Sequence, residues 1–154
     1  MKGYRTGALL ATLILLAACG RNGAEPEQTA TMEPAQSSAG CDPVQERCEV
    51  TVEGLALAVR LGPGVKALNA FPLRVWPALE PDARVDKFFV SFTMSGMDMG
   101  MNRYRLSPQP DGSWLAEVTL PICTSGRTDW IATIELRTDK GHWRVAVPFV
   151  LAPP

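Results

Sequence analysis

The sequence predicts an all-β domain, an antiparallel β-sandwich of seven to eight strands. Three observations carry this expectation. After Gly40, apolar residues recur at every second position, the period of a strand with one buried face. Turn residues break that pattern at short intervals, with 13 Gly and 13 Pro among 154 residues. No stretch after Gly40 carries a helical period. With 46% hydrophobic and 20% charged residues, the chain has enough apolar surface for one ordinary core.

The strands follow in order. Residues 49–53 alternate, with Val50 and Val52 on one face. Glu53-Gly54 makes a turn, and Leu55, Leu57, Val59 and Leu61 continue the period until Gly62-Pro63-Gly64 interrupts it. Residues 72–79 offer Leu73 and Val75 ahead of a turn at Glu80-Pro81-Asp82. Residues 85–94 turn Phe88, Val90, Phe92 and Met94 inward, and residues 102–106 do the same with Tyr104 and Leu106. Pro108-Gln109-Pro110-Asp111-Gly112 is a turn by composition. Trp114, Ala116, Val118 and Leu120 line the next inner face, and Trp130, Ala132, Ile134 and Leu136 another. Asp139-Lys140-Gly141 closes a tight hairpin into Trp143, Val145, Val147 and Phe149. This many short strands over roughly 110 residues implies a sandwich of immunoglobulin-like type.

The amino terminus reads as a targeting segment outside the fold. Lys2 and Arg5 precede an uncharged, Leu- and Ala-rich run that ends in Leu16-Ala17-Ala18-Cys19, which resembles the bacterial lipobox. Residues 1–18 are then a lipoprotein signal peptide, and cleavage exposes Cys19 for acylation and insertion into a lipid bilayer. The alternative is an ordinary secretory signal with a chance cysteine. Several acyl chains anchor stably where one, at roughly 0.8 kcal/mol per buried CH₂, does not. Gly20 after the cysteine, where Asp would signal retention, points to the outer membrane facing the periplasm of a bacterial cell envelope. Residues 19–40 are rich in Ala, Glu, Gln, Ser, Thr and Pro and are expected to be a disordered tether, since they bury too little to offset ordering entropy. Some 20 residues reach roughly 25 Å. The domain proper is expected over residues 41–154.

Formal net charge is −1, and loss of Lys2 and Arg5 with the signal leaves 13 basic against 16 acidic residues. Nothing in that balance suits nucleic acid. With Cys19 acylated, three cysteines remain, so one lacks an internal partner. Cys41 and Cys48 enclose six residues and are the expected disulfide in an oxidising envelope, pinning the start of the fold to its first strand. A metal-binding pair is the alternative. Cys123 is left over.

The stretch Thr93-Met94-Ser95-Gly96-Met97-Asp98-Met99-Gly100-Met101-Asn102 holds four of the six methionines. Gly96, Asp98 and Gly100 favour turns, so these thioethers belong to a connection. Strand parity assigns Met94 to the core and turns Met101 away from it, in phase with Arg103 and Arg105. If successive strands alternate in direction, the connection over residues 121–128 returns to the end that carries the methionines. Cys123 can then approach Met97, Met99 and Met101, while His142, on the 139–141 hairpin, falls at the far end. Thioether and thiolate sulfurs are soft donors that favour monovalent copper, and thioethers carry no proton to displace. Met97, Met99, Met101 and Cys123 are therefore the candidate Cu(I) ligands, with a copper donor or acceptor protein as partner. Two other readings stand beside this one: an adaptable apolar contact for a non-metal partner, and a structural cap on the sandwich with Cys123 as a small buried hydrophobe.

The segment from Phe88 to Arg105, with Phe92-Thr93-Met94 leading into Gly96-Met97-Asp98-Met99-Gly100, resembles the small secreted domains called YtkA-like or FixH-like. That resemblance implies an immunoglobulin-like sandwich, usually membrane-attached, associated with copper handling or assembly of copper oxidases. It departs from the periplasmic copper chaperones that combine His and Met, because no histidine lies near the methionines. An enzyme is not expected. With one histidine, no Cys-x-x-Cys and no nucleophile–base pairing, neither acid–base nor thiol catalysis finds a site. Arg127 and Asp129 flank a turn and read as a loop salt bridge or cap.

Overall fold

Alternating burial sorts the chain into two antiparallel sheets facing one another across an apolar core. A computed structural model describes residues 36–37, 41–97 and 99–152. The signal peptide, Cys19, most of the expected tether and Asp98 lie outside the described residues. The strands are β1 (Gln36–Ser37), β2 (Cys48–Val52), β3 (Leu55–Leu61), β4 (Ala70–Pro77), β5 (Val85–Thr93), β6 (Arg103–Arg105), β7 (Ser107–Pro108), β8 (Trp114–Thr119), β9 (Asp129–Thr138) and β10 (His142–Val150). One sheet has the order β1-β2-β3-β4-β8-β7 and the other β10-β9-β5-β6. Set against the immunoglobulin plan, β3-β4-β8-β7 is A-B-E-D and β10-β9-β5-β6 is G-F-C-C′. The chain adds β2 and β1 outside strand A. The fold is an all-β, immunoglobulin-like sandwich.

The core comes from the residues that the period of two turns inward. Phe88, Val90 and Phe92 on β5 face Leu57, Val59 and Leu61 on β3 and Phe71, Leu73 and Val75 on β4, all buried. Phe92 is the aromatic hub. Its ring lies 6.4 Å from Phe71, 6.2 Å from Tyr104 and 6.2 Å from Phe149, in edge-on geometry that suits ring quadrupoles. The Tyr104 hydroxyl crosses between sheets and donates to the Thr119 carbonyl at 2.7 Å.

Turns follow the local chemistry. Glu53 and Gly54 both take positive φ, 44° and 80°, which suits a two-residue hairpin whose twist matches its strands. The Thr138 hydroxyl accepts the Lys140 and Gly141 N–H groups and closes the β9–β10 turn. Cys41 and Cys48 are disulfide-bonded with Cα atoms 5.7 Å apart, and Cys48 opens β2. Within that loop the Pro43 carbonyl accepts the Leu61 N–H, so the loop also holds the end of β3.

Three elements differ from the periodicity. β4 begins at Ala70, ahead of Pro72, and brings in Phe71 as a core residue. Proline is tolerated there because the Pro72 carbonyl accepts the Gly62 N–H, so its donor-less nitrogen faces the side where β3 has already ended. β7 forms at the start of the expected 108–112 turn, overlapping it at Pro108 and pairing Ser107 and Pro108 with Leu115 and Trp114. β1 pairs Gln36 and Ser37 with Thr51 and Val50, inside the segment whose composition reads as tether.

Candidate functional site

β5 pairs with β9 in antiparallel register, with Thr93 opposite Ile131. The chain leaving β5 therefore emerges beside the chain arriving at β9, and two connections meet at this end. On the first, Met94 is buried in the core. A tight turn follows: the Met97 N–H donates to the Met94 carbonyl at 3.1 Å, and Gly96 has φ 73°. That reversal lays Met97 and Met99, both half-buried, against the edge of the core. Met101 is fully solvent-exposed.

Asn102 fixes this loop to the sheet. Its Oδ1 accepts the Phe92 N–H at 2.6 Å, in place of the ladder partner that β6 no longer supplies. Its Nδ2 donates to the carbonyls of Met99, at 3.2 Å, and Gly100, at 3.4 Å. One side chain thus closes the loop that carries Met97 and Met99.

On the second connection, the Gly126 N–H donates to the Cys123 carbonyl at 3.2 Å and folds residues 123–126 into a turn. The Cys123 thiol then lies 3.0 Å from the Ser125 hydroxyl. The same hydroxyl lies 3.7 Å from the Met97 thioether. Met97 and Cys123 are therefore brought together, one hydroxyl apart. Arg127 ties the two connections. Its guanidinium donates to the Ser95 carbonyl at 2.8 Å and forms a two-pronged ion pair with Asp129.

No protein-family model, curated protein or solved structure matches the chain.

The Cys123 thiol is held below its ordinary value, chiefly by the Ser125 hydroxyl. Partial burial opposes this, and the backbone N–H groups of Ser125 and Arg127 and the Arg127 charge add to it. A half-buried thiol disposed to ionise beside a thioether is a pair of soft donors. Among the described residues no group of three His, Cys, Asp or Glu side chains gathers as a metal site. Cys123 and Arg127 also line a cavity of about 520 Å³, walled by Val65, Ile122, Trp130 and Leu151.

His142 sits on the opposite end of β9, where it pairs with Arg137, and its Nε2 lies 3.3 Å from Glu135. Asn102 and Ser125 escape motif reasoning. The one local signal for Ser125 is its place in a Cys-x-Ser-Gly turn. Asn102 depends on a strand partner that sequence spacing does not display.

Proposed function

We propose that this domain binds or relays Cu(I) in the bacterial envelope, as a lipid-anchored carrier and not an enzyme. Met97 and Cys123 are the inner donors, Met99 a further donor on the same loop, and Met101 the exposed thioether that meets a donor or acceptor protein. One observation supports this most directly: the Met97 thioether and the Cys123 thiol, from separate connections, share the Ser125 hydroxyl. Ligand softness fits Cu(I) in preference to Zn(II), which takes thiolates and imidazoles. The likeness of the Met segment to YtkA-like and FixH-like domains points the same way.

The test is competition of the purified, reduced protein against a Cu(I) chelator, with Ag(I) and Zn(II) as comparisons. Joint replacement Met97→Leu and Cys123→Ser is expected to weaken Cu(I) by at least roughly tenfold, or about 1.4 kcal/mol. Unchanged affinity after Met97, Met99 and Met101 all become Leu sinks the proposal. The second reading, a non-metal contact surface, draws on the exposure of Met101 and Ile122. It predicts no copper retention and loss of a bound partner when the methionines become polar.

A further inference from the structure

The outer face of the β10-β9-β5-β6 sheet carries a concentration of positive charge that the overall composition hides. Register places its residues in rows. Arg105 lies opposite Phe89, Phe89 opposite Glu135, and Glu135 opposite Arg144. The adjoining row runs from Lys87 to Arg137 to His142, and Arg103 stands next to Ser91 on the other side. Lys87, Arg103, Arg105, Arg137 and Arg144 are all exposed. This is five cations on one face of a chain whose formal net charge is −1.

Carboxylates answer few of them. Glu135, half-buried at the centre, takes Arg103 at 2.7 Å and His142 at 3.3 Å. Asp86 reaches Arg137 only at 3.9 Å. Among the described residues, Lys87, Arg105 and Arg144 form no ion pair. Arg103 and Arg105 stack on the Phe89 ring, at 4.2 and 5.2 Å, which holds both guanidiniums over the middle of the sheet. The outer face of the other sheet is balanced. There Arg60 and Arg74 share the surface with Glu49 and Glu117, and Asp111 binds Arg74 at 2.9 Å.

We infer that this basic face docks flat on an anionic phospholipid surface. A twisted but open sheet face suits a planar partner better than a cleft would. Surface cations close to anionic headgroups each add attraction that summation makes appreciable. The inference rests on the tether reading for its choice of partner. A domain held within roughly 25 Å of a bilayer meets headgroup phosphates at high effective concentration. Docked this way, the strands lie parallel to the bilayer and the Met97–Cys123 end stays open at the side.

The experiment uses the chain from residue 19 onward with Cys19→Ser, which retains the whole sandwich and removes the acylation site. Co-sedimentation is measured with vesicles of phosphatidylglycerol in phosphatidylcholine and with phosphatidylcholine alone. Binding is expected only to the anionic vesicles, weakening as salt rises. Lys87→Gln, Arg105→Gln and Arg144→Gln together are expected to weaken it roughly a hundredfold, about fivefold per cation. Arg60→Gln with Lys66→Gln is expected to leave it unchanged. Circular dichroism checks that the triple variant folds; if it does not, Arg144→Gln alone is expected to show the fivefold loss. Equal binding to both vesicle types, or no loss in the variants, overturns the inference. Retention on polyglutamate without preference for anionic vesicles also overturns it, in favour of an acidic protein partner. Acyl chains on Cys19, read by the mass of the native protein, decide the tether reading separately.

Discussion

Replacing Asn102 by Ala removes three hydrogen bonds whose partners are on different sides of the loop. The Phe92 N–H, bonded to Oδ1 at 2.6 Å, is left in a partly buried setting between β5 and the loop. An unsatisfied group of that kind costs about 1–3 kcal/mol. The two Nδ2 bonds, to Met99 and Gly100, are longer, and their carbonyls regain water more easily. Their joint loss adds at most about 1 kcal/mol. The expected cost of Asn102→Ala is therefore about 1–4 kcal/mol. Asn102→Asp keeps the acceptor for the Phe92 N–H and loses both donors, so it is expected to cost about 1 kcal/mol or less. Urea unfolding reads both as shifts in midpoint at constant slope. The two variants losing the same stability would refute the assignment of the larger share to the Phe92 contact. A cost below about 0.5 kcal/mol for Asn102→Ala would refute the clamp altogether.

Reduction of Cys41–Cys48 opens an eight-residue loop and is expected to cost about 2.5 kcal/mol by chain entropy, seen as a lower thermal midpoint in reductant that Cys41→Ala reproduces. The Cys123 thiol, held below its ordinary value chiefly by the Ser125 hydroxyl, is expected to alkylate with iodoacetamide at a pH midpoint below that of a free thiol. Ser125→Ala moves that midpoint up, and a midpoint that stays put argues against the hydroxyl as the cause. The folded carboxyls of Asp111, Asp129 and Asp139 are all lowered, by Ser113, Arg127 and the Arg84 N–H respectively. Depressed acids stabilise above their unfolded values, near 4, and lose that contribution as pH falls through the lower folded ones. Stability measured by denaturant is thus expected to be level from neutral to about pH 5 and to decline below about pH 4.

Most of the fold is legible because it rests on a local rule. The alternation Phe88, Val90, Phe92 and Trp130, Ala132, Ile134, Leu136 states which face is buried without reference to any partner. Phe71 is hidden from that rule, since Pro72 beside it reads as a strand start. Only the early end of β3 makes a mid-strand proline harmless. β1 and β7 are two residues each and exist through pairing with β2 and β8, which no periodicity can display at that length. The site divides in the same way. Parity separates buried Met94 from exposed Met101, and strand alternation brings the 121–128 connection to the Met end. Ser125 and Asn102 act through single hydrogen bonds to distant backbone or sulfur, and their residue types alone would suit any turn.

The sheet edges carry a consequence for crowded conditions. Among the described residues, three of the four outermost strands, β1, β6 and β7, are only two or three residues long. The fourth, β10, is nine residues long but is interrupted by Pro148, which has no N–H to give. Such edges are poor templates for strand-to-strand pairing between copies. Crowded copies are therefore expected to meet through side chains in preference to pairing along these outermost strands.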